Sequence, residues 1–381
     1  MNRVKKFLKN LAALLLGIII AFSITEGALR IYNPVDFRVK GDKIILPANE
    51  KYVIKRNGKQ KKSSKFDATI IHTKNSLGFR GEDPPADFAK YFKIITVGGS
   101  TTECTFLSDG KTWTDQLGKK LKTNFKDIWI NNAGFDGHST FGHLVLMEDY
   151  IAKLQPQIVL FLIGANDQGT DDMGEQDMEI MRNRFYYYSV KGYLKSMANH
   201  SEVFSLGLNF YRYWKSVKIG VEHTELDFEI FKNVDINYYM TDDYIKSKKN
   251  NLQLSRISAE GFRKRLQRLI DISIKNNIEP ILITQPSFYG DFIDDVTKVD
   301  FKFTTMSWEI LEIFNDVTRQ VGKENNILVI DLDREMPKSS KYYYDWLHYT
   351  NEGAEKVAEI IYNNLYPYLA NRYKEYLKQV N

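Results

Sequence analysis

Four short segments hold residue types that could share one reaction. Ser100 closes the run Val97-Gly98-Gly99-Ser100. Gly134 lies in Asn131-Asn132-Ala133-Gly134-Phe135, and Asn166 in Gly164-Ala165-Asn166-Asp167. Asp345-Trp346-Leu347-His348 pairs an acid with an imidazole. A serine hydroxyl is a poor nucleophile until a base takes its proton. An imidazole serves best as that base when a carboxylate fixes its other nitrogen. The Asp-x-x-His spacing allows that contact. An asparagine amide can aim at a developing oxyanion, and a glycine N–H can do the same with no side chain in the way. Singly, the pieces are weak. Gly-Gly-Ser occurs in many loops, Asn-Asp after a strand is equally a turn or a helix cap, and a lone histidine is normally structural. Together they supply nucleophile, base, orienting acid and oxyanion donors.

The elements around them must bring these segments together. Phe92 to Val97, Ile128 to Asn132, Ile158 to Ile163, Pro280 to Thr284 and Ile327 to Asp331 are short apolar runs of the kind buried in a parallel sheet. Trp113, Leu117, Leu121 and Phe125 recur every four residues and mark an amphipathic helix. Further helices are expected over 144–154, 262–274, 308–321 and 353–368. This alternation predicts an α/β fold with a parallel central sheet and helices on both faces. Ser100, Gly134 and Asn166 each follow a strand, at the carboxyl edge where open α/β sheets place their ligands. The rhythm stops between Gly169 and about Asn250. That stretch is rich in Tyr, Phe, Lys and Asn, including Phe185 to Tyr188 and Phe210 to Trp214. It reads as a mostly helical insertion, placed to cover the active site, whose aromatics form a core of its own.

The N-terminus carries a separate signal. Arg3, Lys5, Lys6 and Lys9 precede an uncharged run from Asn10 to Thr25 that is apolar from Leu11 to Ile24. At ~1.5 Å per residue the run spans roughly 24 Å, a little short of the bilayer core, and a snorkelling Lys9 could extend it. With no polar face it is unsuited to an amphipathic core helix. It reads as an uncleaved signal anchor whose basic end stays cytoplasmic and whose remaining chain lies outside. The alternative is a cleaved signal peptide, with Ala21 and Ser23 as a small-x-small site. The expected organisation is an anchor over 1–30, a juxtamembrane segment over 31–90, the first part of the α/β domain over 91–168, the insertion over 169–250 and the second part over 251–370.

The remaining signals are negative or bland. The chain has 381 residues, 43% hydrophobic, enough for a sizeable core. A net charge of +5 with acids and bases intermixed gives no case for nucleic acid binding. No zinc-ligand spacing, Walker loop or dinucleotide fingerprint is present. Cys104, the one cysteine, excludes an intramolecular disulfide and is either buried filler or a rival nucleophile. His138 and His143 are badly spaced for a shared metal. His72, His200 and His223 have no recognisable partners in sequence, and Gln285-Pro286 reads as a rim turn. Six basic residues from Lys55 to Lys65 surround Asn57-Gly58, a hairpin turn signal, and form either a solvated loop or a contact for anionic lipid or acidic polysaccharide.

In order and pattern, the four chemistry-bearing segments resemble the blocks of the SGNH (GDSL-like) hydrolase family, in its membrane-anchored bacterial type. Ser100 matches the block I serine, Gly134 the block II glycine and Asn166 the block III asparagine. Asp345 and His348 match the block V Asp-x-x-His, and Asn75 to Gly81, NSLGFRG, is similar to a segment upstream of block I. The resemblance covers residues 70–170 and 250–365. Gly99 departs from it, since members commonly carry Asp before the serine. The resemblance implies a flavodoxin-like three-layer sandwich and a metal-free, cofactor-free serine esterase or deacetylase. Ser100, His348 and Asp345 would form its triad, with Ser100, Gly134 and Asn166 as the oxyanion hole. Its substrate would be an acylated carbohydrate or lipid. The alternatives are an O-acyltransferase modifying surface polysaccharide with the same triad, and a non-catalytic binding or assembly protein that keeps the fold. Oligomeric state is not legible.

Overall fold

The computed structural model describes residues 2–35, 39–41, 43–55, 65–169, 190–219 and 225–379. Helix α1 (Asn2–Ile31) leads to two antiparallel hairpins, β1 (Val39–Lys40) with β2 (Lys43–Ile44), and β3 (Lys51–Lys55) with β4 (Thr69–Thr73). The α/β alternation then starts with β5 (Phe92–Gly98), the one-turn helix α2 (Ser100–Glu103), α3 (Trp113–Asn124) and β6 (Ile128–Asn132). Next comes α4 (Thr140–Leu146), which continues through a π-helical stretch, Met147–Ile151, and is followed by β7 (Ile158–Leu162). After α5 (Val190–His200) and α6 (Glu202–Ile219), the long α7 (Asp242–Lys275) leads to β8 (Glu279–Ile283). The chain ends with α8 (Thr305–Glu324), β9 (Val329–Ile330), α9 (Leu332–Glu335) and α10 (Asn351–Arg372). Two compact units result, residues 1–45 with 174–222, and residues 46–173 with 223–381.

In the larger unit the five strands pair in parallel in the order β6-β5-β7-β8-β9. Counted from β5, this is the doubly wound order 2-1-3-4-5. All seven residues of β5 are buried, as expected of a strand covered on both faces. Ile94, Leu160 and Ile281 share a core with Leu117 and Leu121 of α3 and Val357 and Ile361 of α10. On the opposite face Leu282 reaches Gly322 of α8, and Phe262 of α7 packs on Phe314 of α8. The expected parallel sheet with helices on both sides is borne out. A sheet in this order has its switch point between β5 and β7, where connections depart in opposite directions and leave a crevice at the carboxyl ends. Ser100 follows β5 and Asn166 follows β7.

The smaller unit is built differently. The apolar length of α1 is unburied, and its last turns pack on α6. Phe22 meets Phe204 at 5.8 Å between ring centroids, and Arg30 donates to the carbonyl of His200 at 2.8 Å. Glu26 accepts from the Ser201 hydroxyl and from the N–H groups of Glu202 and Val203, capping the N-terminus of α6. The helix runs unbroken through Ala21 and Ser23.

Three expectations are revised. The boundary at 250/251 falls inside α7, because Thr241 caps that helix and a polar, exposed stretch precedes its buried face. The insertion divides, with 174–222 in the smaller unit and 223–250 in the larger. Phe210, Tyr211 and Trp214, expected in an insertion core, are 60%, 60% and 57% exposed. Phe185 to Tyr188 and the Asn57-Gly58 turn lie outside the described residues.

Candidate active site

The backbone makes a sharp turn at the end of β5. Gly99 lies at φ −85°, ψ −148°, and Ser100 opens α2, whose four residues are all buried. The turn is clamped from several sides. The Trp113 indole N–H donates to the Thr101 carbonyl at 3.2 Å, and the Thr101 hydroxyl donates to the Gln285 side-chain carbonyl at 2.9 Å. Gln285 is itself held by two hydrogen bonds to Asn315. It is therefore a brace for α2, more than the rim turn expected.

Opposite Ser100, the stretch before α10 carries Asp345 and His348. Thr350 caps α10 by accepting from the Gly353 N–H at 3.0 Å, which fixes where this stretch ends. His348 Nε2 lies 2.7 Å from Ser100 Oγ, and Nδ1 lies 2.8 Å and 2.9 Å from the two Asp345 oxygens. Asp345 Oδ1 also accepts the N–H groups of Leu347 and His348 at 2.9 Å and 2.8 Å. Burial works to raise the Asp345 pKa. The imidazole and the two N–H groups outweigh it, so the carboxyl sits below its usual range and is ionised at neutral pH. The Tyr344 ring stacks on His348 at 5.5 Å and 18°. Ser100, Asp345 and His348 are each under a tenth exposed, so the relay is shielded from bulk water.

Two of the three expected oxyanion donors sit together. Ser100 and Asn166 line one pocket together with Gln285 and Leu347. A Cβ on Gly99 would stand 2.5 Å from the Asn166 amide nitrogen, so the glycine that departs from the family pattern is what lets that amide approach. Asn166 Nδ2 donates one hydrogen to the His138 carbonyl at 2.9 Å and keeps a second. Next to it, buried Asp167 accepts from Thr140 and Arg265, tying the turn to α4 and α7. Gly134 is arranged otherwise. Its N–H donates to Asn132 Oδ1 at 2.8 Å, and a Cβ there would stand 2.3 Å from the Glu103 nitrogen. The residue lets its loop press on α2, while its amide is already engaged. Gly137, three residues on, is exposed at φ +74° with open space around it.

Behind α2 lies a set of buried charged residues. Arg80 is 1% exposed and donates to the carbonyls of Glu103, Cys104 and Leu107 at 2.7, 2.7 and 2.8 Å. Lys74 lies 2.9 Å from the Glu103 carboxylate, with both side chains 2% exposed. Burial, with Arg80 and Lys74 adding to it, pushes His72 down to about 3, so it is neutral here. Their signal was the NSLGFRG segment, which holds Arg80. Lys74 and His72 immediately precede it.

The other singled-out residues fall away from the chemistry. Burial pushes the Cys104 thiol up to about 12, and it donates to the Thr101 carbonyl at 3.3 Å. This is filler behaviour. The His138 and His143 rings are 6.1 Å apart, and burial pushes His143 down to about 3. Among the described residues, no three His, Cys, Asp or Glu side chains gather as a metal site. His200 lies at the end of α5, and His223 is outside the described residues.

Residues 96–216 match the GDSL-like Lipase/Acylhydrolase family. The matched span holds Ser100, Gly134 and Asn166 and stops before Asp345 and His348. Solved structures similar to this chain include the following three. Axe2, an acetylxylan esterase from Geobacillus stearothermophilus, is 13% identical over 72% of this chain and 93% of that one, with a TM-score of 0.41. The acetyl xylan esterase AlAXEase is 17% identical over 71% and 98%, at 0.40. A GDSL-like lipase from Bacteroides thetaiotaomicron is 12% identical over 76% and 93%, at 0.38. No curated protein matches the chain.

Proposed function

We propose that this GDSL-like acylhydrolase, a serine ester hydrolase, works through Ser100, His348 and Asp345 on an acylated glycan or lipid outside the cytoplasm. The observation that carries the reading is the unbroken hydrogen-bonded chain from the Asp345 carboxylate through His348 to the Ser100 hydroxyl. Ser100 Oγ attacks the ester carbonyl carbon as its proton passes to His348 Nε2. Asp345 holds the imidazole in the receptive tautomer and stabilises the imidazolium. The oxyanion is held by the Ser100 N–H and the second hydrogen of Asn166. We assign a third donor to the N–H of Gly137, because its neighbour His138 lines the Ser100 pocket and accepts from Asn166, whereas the N–H of Gly134 is engaged by Asn132. As the tetrahedral intermediate collapses, the C–O bond to the alcohol breaks and His348 returns the proton to the leaving oxygen. A water, deprotonated by His348, then releases the acid and restores Ser100.

Helix α1 supports the reading of location. It is long, apolar and unburied, with Arg3, Lys5, Lys6 and Lys9 at its start, which favours a cytoplasmic N-terminus and an external hydrolase. Its continuation past Ser23 into the Glu26 cap favours an uncleaved anchor.

The test is product analysis. The full chain in detergent is incubated with acetylated sugar esters, with and without an acceptor glycan, and products are weighed by mass spectrometry. Free acetate at a rate independent of acceptor is expected. Acetyl groups recovered on the acceptor would make the protein a transferase, and no turnover by a folded chain would make it a binding protein.

A further inference from the structure

Helix α6 packs on the outer turns of α1 with the opposite chain sense. Going up α1 from Phe22 through Glu26 to Arg30, the partners descend from Phe204 through Glu202 and Ser201 to His200. The first contact, at Phe22, falls in the last turn of the uncharged run, where a spanning helix leaves the hydrocarbon. From Phe204 onward, α6 therefore heads back toward the membrane. Phe210 lies six residues further along and Trp214 ten, ~9 and ~15 Å of helix at 1.5 Å per residue, so a helix inclined to α1 keeps these rings within the ~5–10 Å depth of an interfacial layer. Phe210 and Tyr211 are each 60% exposed and Trp214 is 57% exposed. Tyr193 on the neighbouring α5 is 55% exposed. Phe, Tyr and Trp are the side chains that favour the boundary between headgroups and acyl chains. In a chain bathed only in water, so many exposed rings on one helical pair would be an unexplained apolar surface.

We propose that α6 lies in the outer lipid interface beside α1, with Phe210, Tyr211 and Trp214 among the acyl-chain ends of the headgroup layer. The partner is a phospholipid bilayer, and the inference rests on reading α1 as a membrane span. The α5–α6 pair then acts as a collar that fixes the smaller unit at a set depth, with Glu26 as the joint between span and collar.

The experiment uses the full chain in phospholipid vesicles. A solvatochromic fluorophore is attached to Phe210→Cys, to Leu15→Cys in the apolar run, and to Lys374→Cys on the larger unit. The buried native thiol of Cys104 does not compete. Quenching by a lipid nitroxide near the headgroup is compared with quenching by aqueous iodide. At Phe210 the lipid quencher should outweigh its effect at Lys374 by about threefold or more, with iodide quenching reduced to match. Tyr211→Cys serves as a second probe, and retained ester hydrolysis certifies each variant as folded. If Leu15 is shielded from iodide while Phe210 and Tyr211 behave like Lys374, the collar is wrong and the anchor stands. If Leu15 also behaves like Lys374, the anchor reading falls and takes the collar with it.

Discussion

The two units place their apolar residues in opposite ways. In the larger unit Phe92, Ile94, Leu160 and Ile281 are fully buried, and the polar side chains of Ser100, Asn166 and Asp167 are hydrogen-bonded in the turns at the sheet's edge. In the smaller unit Leu14, Ile18 and Ile19 are 60%, 56% and 61% exposed, and the polar contacts sit at one end, around Glu26. Composition alone cannot distinguish these regimes, since both are rich in Leu, Ile and Phe. What distinguishes them is the solvent each pattern is suited to. Strands of five to seven buried residues need protein on both faces, whereas a long run with no polar face is suited to lipid.

If chemistry belongs to the larger unit alone, substitutions there should change rate while leaving membrane association intact. The largest effect should come from Ser100→Ala, with kcat/KM on an acetylated sugar ester falling roughly 10⁴-fold or more in a chain that still floats with vesicles. Asp345→Asn should cost about 10³- to 10⁴-fold, because the imidazole loses its orienting partner and its tautomer. Asn166→Ala should cost about 10²- to 10³-fold, mostly in kcat, as one oxyanion donor is lost. Lys74→Met should lower stability by about 3 kcal/mol in denaturant titrations by taking the ammonium away from the buried Glu103 carboxylate, and adding Glu103→Gln should recover part of it. At the small end, Cys104→Ser should leave kcat/KM within about twofold, as fits a thiol that takes no part.

Much of this was legible because it rests on local periodicity. The strands around 92, 128, 158, 280 and 329 and the helices before and after them follow from short apolar runs and four-residue spacing. Ser100, Asp345 and His348 were legible from type and spacing together. The rest depended on contacts distant in sequence. That Asn132, and not a substrate oxygen, takes the Gly134 N–H is decided by where the Asn132 side chain goes once its amide donates to the Thr102 carbonyl. Lys74, Arg80 and Glu103 carry charges that ordinarily mark a surface, and only the pairing of β4's end with α2 shows them as buried partners. The start of α7 was missed because its first turns are polar and exposed, so no apolar stripe announced them.

The most direct test of the central claim is the site of covalent capture. The full chain is treated with a small serine-directed organophosphonate, digested, and the adduct located by mass spectrometry. A single adduct on Ser100, absent from Ser100→Ala and nearly absent from His348→Ala, is the predicted result. An adduct that persists in Ser100→Ala and disappears in Cys104→Ser would contradict it.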